Sequence, residues 1–385
     1  MDPRAISLVR TSFKAVAAVD GGPDKLTSSF YAFLFARNPE IRELFTATMT
    51  GQRERLVTAI AYVVDHLDDL EASLPFLEQL GRDHRKYGIV DRHYAAVGAA
   101  LILALERFAG TELWTDEVAA AWDDAIAIIA GTMMNAANAE TGPAAVGATV
   151  IEHVEVLQDV AIIRLQLDEP LKYAAGQYIS VQVPSRPRMW RYLSPAIPAN
   201  DAGQIEFHVR RVSGGWVSPA IVQRTEVGER WVVGSPLGSL GVAGAGGRNM
   251  LMVGSGTGLA PLRAQIMEMS ARSQNPKVHL FMGGTYPCDL YDFDTMSDIA
   301  RSNPWLTVVP VSENDTDPWW HDGGPVPALS RQLMPSPVGV LAASFGSWAE
   351  RDVQIAGSPS MIAGTVDALV AGGTPHENIR HDPLI

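Results

Sequence analysis

The chain has 385 residues, room for about two to three domains, and its 47% hydrophobic and 19% charged content is that of ordinary globular protein. Thirty Lys and Arg against 43 Asp and Glu leave a net charge of −13 without a basic block, which excludes a surface that tracks nucleic-acid phosphates. No apolar run is long enough to span a bilayer and the N-terminus has no apolar core of a leader, so a cytoplasmic location without integral membrane contact is expected; the single cysteine, Cys288, excludes internal disulfides and a cluster held by four thiolates.

The first part reads as helical. Asp2 caps a helix with Pro3 at its first position, and Ile6, Val9, Phe13 and Val16 follow at helical spacing until Gly21-Gly22-Pro23. A second helix is expected over 24–37, after which Asn38-Pro39 restarts the chain toward Phe45. Gln52, Leu56, Ile60, Val63 and Leu67 form an apolar stripe headed by an amide. Leu77, Leu80 and His84 share another face, with Gly88 as a stop, and 93–108 and 117–138 are two further helices.

A histidine such as His84 on an apolar face is, by itself, more often a hydrogen-bonded core residue than a metal ligand. The order of signals changes that weighting. Phe30-Tyr31, Asn38-Pro39-Glu40, Leu44-Phe45, Gln52, Leu56, His84 and Tyr94 resemble the globin domain of the flavohaemoglobins. The resemblance implies haem b, with His84 as the proximal iron ligand, Phe45 wedged against the porphyrin, Tyr31, Gln52 and Leu56 in the distal pocket, and Tyr94 near the proximal histidine. A neutral imidazole holds iron on one side while a phenol and an amide donate hydrogen bonds on the other. Two departures stand out. Met133 to Ala137 carries no acid where the family places the glutamate that polarises the imidazole, and Asp83 stands where a lysine usually precedes the histidine, which puts the family's contact between haem and flavin domains in question.

Residues 141–148 read as a Gly/Pro/Ala linker, after which the periodicity falls to two. Strands are expected over 150–156, 161–167, 178–183, 205–212 and 230–233, suiting a small antiparallel barrel over 149–246. Gly176-Gln177-Tyr178 and Arg191-Tyr192-Leu193-Ser194 resemble the family's flavin-binding elements, which implies FAD: Arg191 facing the pyrophosphate, Ser194 the reactive edge of the flavin. Leu193 occupies the position of the stacking tyrosine, and strand alternation predicts that Tyr192 points to the opposite face. Gly215, Trp216, Val217 and Ser218 resemble the second phosphate-binding element, with Gln177 and Tyr178 entering the flavin site.

From 247 onward strands and helices alternate. Met250 to Val253, then Gly254, Gly256, Thr257 and Gly258, then a helix opened by Pro261, form a strand, glycine turn and helix that can bring backbone N–H groups to a pyrophosphate. The glycines follow GxGxG, not the GxGxxG of a Rossmann loop. Gly256 to Pro261 resembles the nicotinamide lobe of ferredoxin reductases, with Gly357 in the region near the nicotinamide. Thr285 replaces an arginine frequent in NADP-preferring relatives, so nucleotide use leans to NADH. Ala356 stands for the family's cysteine, and the chain ends without its aromatic, so NADH is expected to reduce the flavin poorly.

The expected fold class is therefore an all-α globin (1–140), a linker (141–148), an antiparallel FAD barrel (149–246) and a parallel α/β nucleotide lobe (247–385). The resemblance implies an oxidoreductase that passes electrons from a donor through FAD to haem-bound dioxygen, oxidising nitric oxide. A second reading is an enzyme fed by a hydroxy acid such as D-lactate, with Arg380 and His381 as its cation and base. A third is a haem-based gas or redox sensor, against which the lack of a recognisable output domain argues.

Overall fold

The computed structural model describes the chain except residues 47–48, 243–245, 322–328, 330 and 383–385, and except the side chains of 70, 72, 111 and 112. The last three residues of the expected aromatic-free tail thus lie outside the described residues. Two compact units divide at Ala145 and Val146.

The first unit is helical: α1 (Pro3–Ala17), α2 (Gly22–Arg37), α3 (Thr50–Asp65), α4 (Leu70–His84), α5 (Asp91–Leu113) and α6 (Asp116–Ala139), with a 3-10 turn at Pro39–Leu44. Asp2 accepts from the Ala5 N–H at 2.9 Å, and Thr115 accepts from Val118 at 3.3 Å, so both helix starts have satisfied donors. Leu34, Ala104, Leu77 and Trp122 lie in the core, and the buried indole N–H of Trp122 donates to Ser12 at 2.9 Å. Helices α4 and α6 cross at Gly81, where a Cβ would stand 2.3 Å from the Met133 carbonyl oxygen; only glycine lets the two backbones meet.

In the second unit, β1 (Ala145–Leu157), β2 (Val160–Leu167), β3 (Tyr178–Gln182), β4 (Arg191–Leu193), β5 (Gln204–Arg210) and β6 (Arg230–Leu237) form a sheet of order β4-β3-β6-β1-β2-β5. Its edge strands are drawn together by one antiparallel bridge between Pro195 and Phe207. β1 begins inside the segment expected as linker: Val146, Ala148 and Val150 are buried, and Ala148 pairs with Leu167. Small apolar residues alternating with Gly and Thr were read as a spacer, yet they are one inward row of a strand. Helix α7 (Ser218–Arg224) packs on this sheet through Ile221 and Val222.

The remaining strands, β7 (Met250–Ser255), β8 (Val278–Gly284), β9 (Leu306–Ser312), β10 (Met334–Pro335), β11 (Asp352–Ala356) and β12 (Ile379–Arg380), make a parallel sheet of order β10-β9-β8-β7-β11-β12. Helices α8 (Leu259–Ser270), α9 (Phe293–Ser302), α10 (Val338–Ser344) and α11 (Pro359–Ala371) accompany it. β7 is apolar without alternation because both faces are covered: Met250 and Met252 enter one core, Leu251 and Val253 the other. No single helix among the described residues is long and apolar enough to cross a membrane.

Candidate functional site

In the helical unit, α2 presents Tyr31 with 4% exposure, its ring 5.6 Å from that of Phe45 and nearly perpendicular to it. Burial pushes the phenol up to about 12, against the opposing pull of a hydrogen bond from Gln52 and the charges of Arg55 and Arg53. The Gln52 side chain is thus beside the phenol, and its Oε1 accepts from Arg55 at 3.0 Å. Leu56 packs at the edge of the same core.

His84 ends α4. Its Nδ1 lies 2.7 Å from the Leu80 carbonyl oxygen, which can only accept, so Nδ1 carries the proton and the Nε2 lone pair is free for a metal. Burial pushes its pKa down, keeping the imidazole neutral. Tyr87, which sequence reasoning did not select, stands edge-on to it, ring centroids 6.0 Å apart. The Tyr94 hydroxyl is buried without a hydrogen-bond partner. Asp83, in the place of the family's lysine, is held at 2.6 Å by Lys86, the side chains 9% and 2% exposed. This ion pair is legible in the sequence only as a charge pair three residues apart, since burial is a tertiary fact.

In the second unit, Tyr178, Arg191, Tyr192, Leu193, Ser194, Ser218, Gly256, Thr257, Gly258, Pro261 and Gly357 line one cleft of about 530 Å³. It opens at the C-terminal ends of β7, β8 and β11, where ligands of parallel α/β sheets bind. Gly256 has φ +54°, and a Cβ on Gly258 would stand 2.4 Å from the Ala356 carbonyl oxygen, so the turn and α8 close onto β11 only with glycine there. Arg191 is exposed in the cleft, with no acceptor among the described residues.

Other expected residues lie elsewhere. Gln177 is fastened by its own loop, accepting from Ala174 at 2.9 Å and donating to the Gly238 carbonyl at 3.3 Å. Gly215 and Trp216 line a separate hollow with Arg186 and Arg224. Val217 is 8% exposed in the sheet's core, and Gly254 packs on Leu259 and Leu262. Tyr192 also departs from expectation. Leu193 pairs with Ile179, packs on the core and also lines the cleft, while Tyr192 pairs with Ser180, stands edge-on to Tyr178 at 5.3 Å, and lines it too. Alternation separates the two side chains, yet both contribute to the cleft wall.

The cleft also holds residues that sequence reasoning did not select. Arg210 reaches past Gly256 to pair with Asp159 at 2.9 Å and Asp289 at 2.7 Å, and the other Asp289 oxygen accepts from the Thr285 and Tyr286 N–H groups at 3.0 Å each. His208 contacts Tyr291 at 2.9 Å and Glu206 at 3.2 Å. Despite burial, which opposes ionisation, hydrogen bonds from His208 and Arg164 and the charge of Arg263 hold Glu206 down to about 2. These pairs fasten β5 to the parallel-sheet lobe. Asp382 lines the cleft near Gly238 and Tyr178, its carboxyl pushed up to about 6 by burial.

Three family models match along the chain: globin over residues 28–133, an oxidoreductase FAD-binding domain over 147–241, and an oxidoreductase NAD-binding domain over 252–367. A flavohemoprotein of Bordetella parapertussis is 29% identical over 297 residues, covering 70% of this chain and 72% of that one. The reductase subunit of an aromatic O-demethylase from an Amycolatopsis species is 32% identical over 225 residues, 57% of this chain and 64% of its own length, so this chain spans just under two thirds of that relative. A flavohemoglobin from Malassezia yamatoensis with bound FAD and heme shares the fold at a TM-score of 0.79 and 16% identity, over 99% of this chain and 98% of that one. The chain is a globin domain fused to a ferredoxin-reductase-like FAD and NAD module, the architecture of flavohaemoglobins.

It takes haem in the globin domain and FAD in the antiparallel one, and its third domain is of the NAD-binding class. The residues fit these groups. A neutral imidazole with a free Nε2 suits iron, and the Tyr94 hydroxyl of the same domain is a buried polar atom without a partner. The unpaired Arg191 suits a flavin diphosphate, and the glycine turn at the start of α8 suits a second nucleotide.

Proposed function

We propose that this protein draws electrons from a reduced nicotinamide nucleotide into FAD and on to haem, and that it oxidises nitric oxide with dioxygen. His84 would hold the haem iron through Nε2, and Tyr31 and Gln52 would offer hydrogen-bond donors to dioxygen. Arg191 and Ser218 face the flavin diphosphate, Tyr178 and Tyr192 wall the cleft, and the turn from Gly256 to Gly258 receives the nicotinamide nucleotide. When bound, FAD converts two-electron reduction into single-electron delivery, and haem supplies the iron at which the gases react.

One observation carries the reading: the Leu80 carbonyl engages His84 Nδ1 at 2.7 Å, which leaves a neutral imidazole with Nε2 free for iron in a domain that also buries the Tyr31 phenol against Phe45. A neutral phenol donates at every physiological pH, and a hydrogen bond to a partly charged ligand is worth about 1.5 to 3 kcal/mol.

The hydroxy-acid reading loses its cation. Arg380 is engaged by Asp352, its Nε 2.9 Å from Oδ1, and by the Gly241 carbonyl at 3.2 Å, while His381 Nδ1 meets the Asp382 carbonyl at 2.9 Å. Neither side chain lines the cleft, and the group that does, Asp382, repels a carboxylate when ionised. Anaerobic mixing of the oxidised protein with NADH and, separately, D-lactate tests the donor: NADH is expected to bleach the flavin, slowly because Ala356 stands where the family has a cysteine, and then to reduce the haem. Bleaching by D-lactate alone, or aerobic turnover with NADH that leaves nitric oxide unconsumed, contradicts the proposal.

A further inference from the structure

Next to the cofactor cleft but outside it, two loop segments of the parallel-sheet lobe meet. The 3-10 turn Pro287–Asp289 follows β8, and residues 313–321 follow β9. The Cys288 N–H donates to Asp317 Oδ1 at 2.7 Å, which sets the carboxylate beside the thiol. The His321 N–H donates to the Pro318 carbonyl at 2.9 Å, which turns the chain back toward that pair. One ligand atom each from Cys288, Asp317 and His321 consequently lies within 4.8 Å of the other two, and all three residues are half-buried.

We propose that Cys288, Asp317 and His321 form a binding site for a divalent cation of the zinc class. Around one tetrahedral zinc, bonds of about 2.3 Å to sulfur and about 2.0 to 2.2 Å to nitrogen and oxygen place the donors roughly 3.3 to 3.7 Å apart. Closing from 4.8 Å or less takes about 1 Å of side-chain rotation, and the backbone bonds already fix Asp317 against Cys288. Donor type decides the ion: a thiolate and an imidazole select zinc and its soft neighbours, whereas magnesium and calcium require oxygens. Binding exchanges the thiol proton for the metal, the proton leaving to solvent, with no change of oxidation state. Three protein ligands leave the fourth position to water, so the ion exchanges. The site adjoins the cleft through Asp289, which follows Cys288, binds the Thr285 and Tyr286 N–H groups and pairs with Arg210; an ion at Cys288 tightens that turn.

Because Cys288 is the one cysteine of the chain, its alkylation reports this site alone. The full-length protein, stripped with a chelator, is mixed with iodoacetamide with and without Zn²⁺, and thiol modification is followed by intact mass. Zinc at about ten times its dissociation constant leaves roughly one thiol in ten free, so alkylation slows about tenfold. His321→Ala and the better size-matched His321→Gln keep the thiol and remove a ligand; both are expected to lose the protection while retaining normal haem and flavin spectra. His376→Ala, at an exposed histidine elsewhere in the lobe, is expected to keep it. No protection in the native chain, or equal protection in both His321 variants, overturns the site.

Discussion

The glycine turn at the head of α8 makes the sharpest forecast. A Cβ placed on Gly258 would stand 2.4 Å from the Ala356 carbonyl oxygen and 2.6 Å from both the Ala356 carbonyl carbon and Gly357 Cα. Ordinary van der Waals contact begins at 3.4 Å, so Gly258→Ala has to part the start of α8 from the end of β11 by about 1 Å (3.4 − 2.4). All three obstructing atoms are backbone, which cannot rotate away as a side chain can. Overpacking of this kind costs about 1 to 3 kcal/mol. The functional cost is larger, because a misplacement of about 1 Å between reacting groups lowers rates about 100-fold. Stopped-flow reduction of the flavin by NADH under anaerobic conditions is expected to slow by about that factor in Gly258→Ala. Haem absorbance, which depends on the other unit, serves as the internal control. A variant with native flavin reduction and an unshifted melting temperature refutes the assignment of this turn to nucleotide binding.

Three other outcomes are expected. His84→Ala removes the haem absorbance while flavin stays bound; full haem occupancy with an unchanged spectrum rules His84 out as the ligand. Tyr31→Phe, which deletes the buried phenol beside Gln52, speeds dioxygen release from the ferrous protein about tenfold or more, and an unaltered off-rate in rapid mixing denies the phenol that role. Asp382 has its carboxyl raised from 3.8 to about 6 by burial, so its protonated form is favoured in the folded protein and its ionisation destabilises the fold progressively as pH rises from about 4 through 6. Asp382→Asn is accordingly expected to raise the melting temperature at pH 8, by an amount worth up to about 3 kcal/mol, and to leave it nearly unchanged at pH 4; equal effects at both pH values contradict a buried, titrating carboxyl.

Local pattern carried much of the architecture. Residues at three- and four-residue spacing around Val9, Leu77 and His84, the Asp2-Pro3 start and the Gly88 stop depend on backbone geometry within a few residues, and they became α1, α4 and its termination. The strand, glycine turn and helix from Met250 to Met269 are likewise local, since chain neighbours alone dictate that a side chain is absent where the turn tightens. The linker reading of 145–148 went astray because the same small residues serve a spacer or a strand, and only the partner strand, with Leu167 opposite Ala148, decides between them. Which side of β4 packs on the core was undecidable in the same way: alternation says that Tyr192 and Leu193 diverge, but only the packed sheet puts Leu193 against the core. The Tyr87 ring against His84, the Asp83–Lys86 pair withdrawn from solvent, Arg210 bridging Asp159 and Asp289, and the meeting of Cys288 with Asp317 and His321 depend on groups brought together or buried by folding. Sequence by itself determined the residue types, their periodicities and the order of the three domains. Tertiary structure decided which polar groups lose their water, and hydrogen bonds and charges change in strength with that loss.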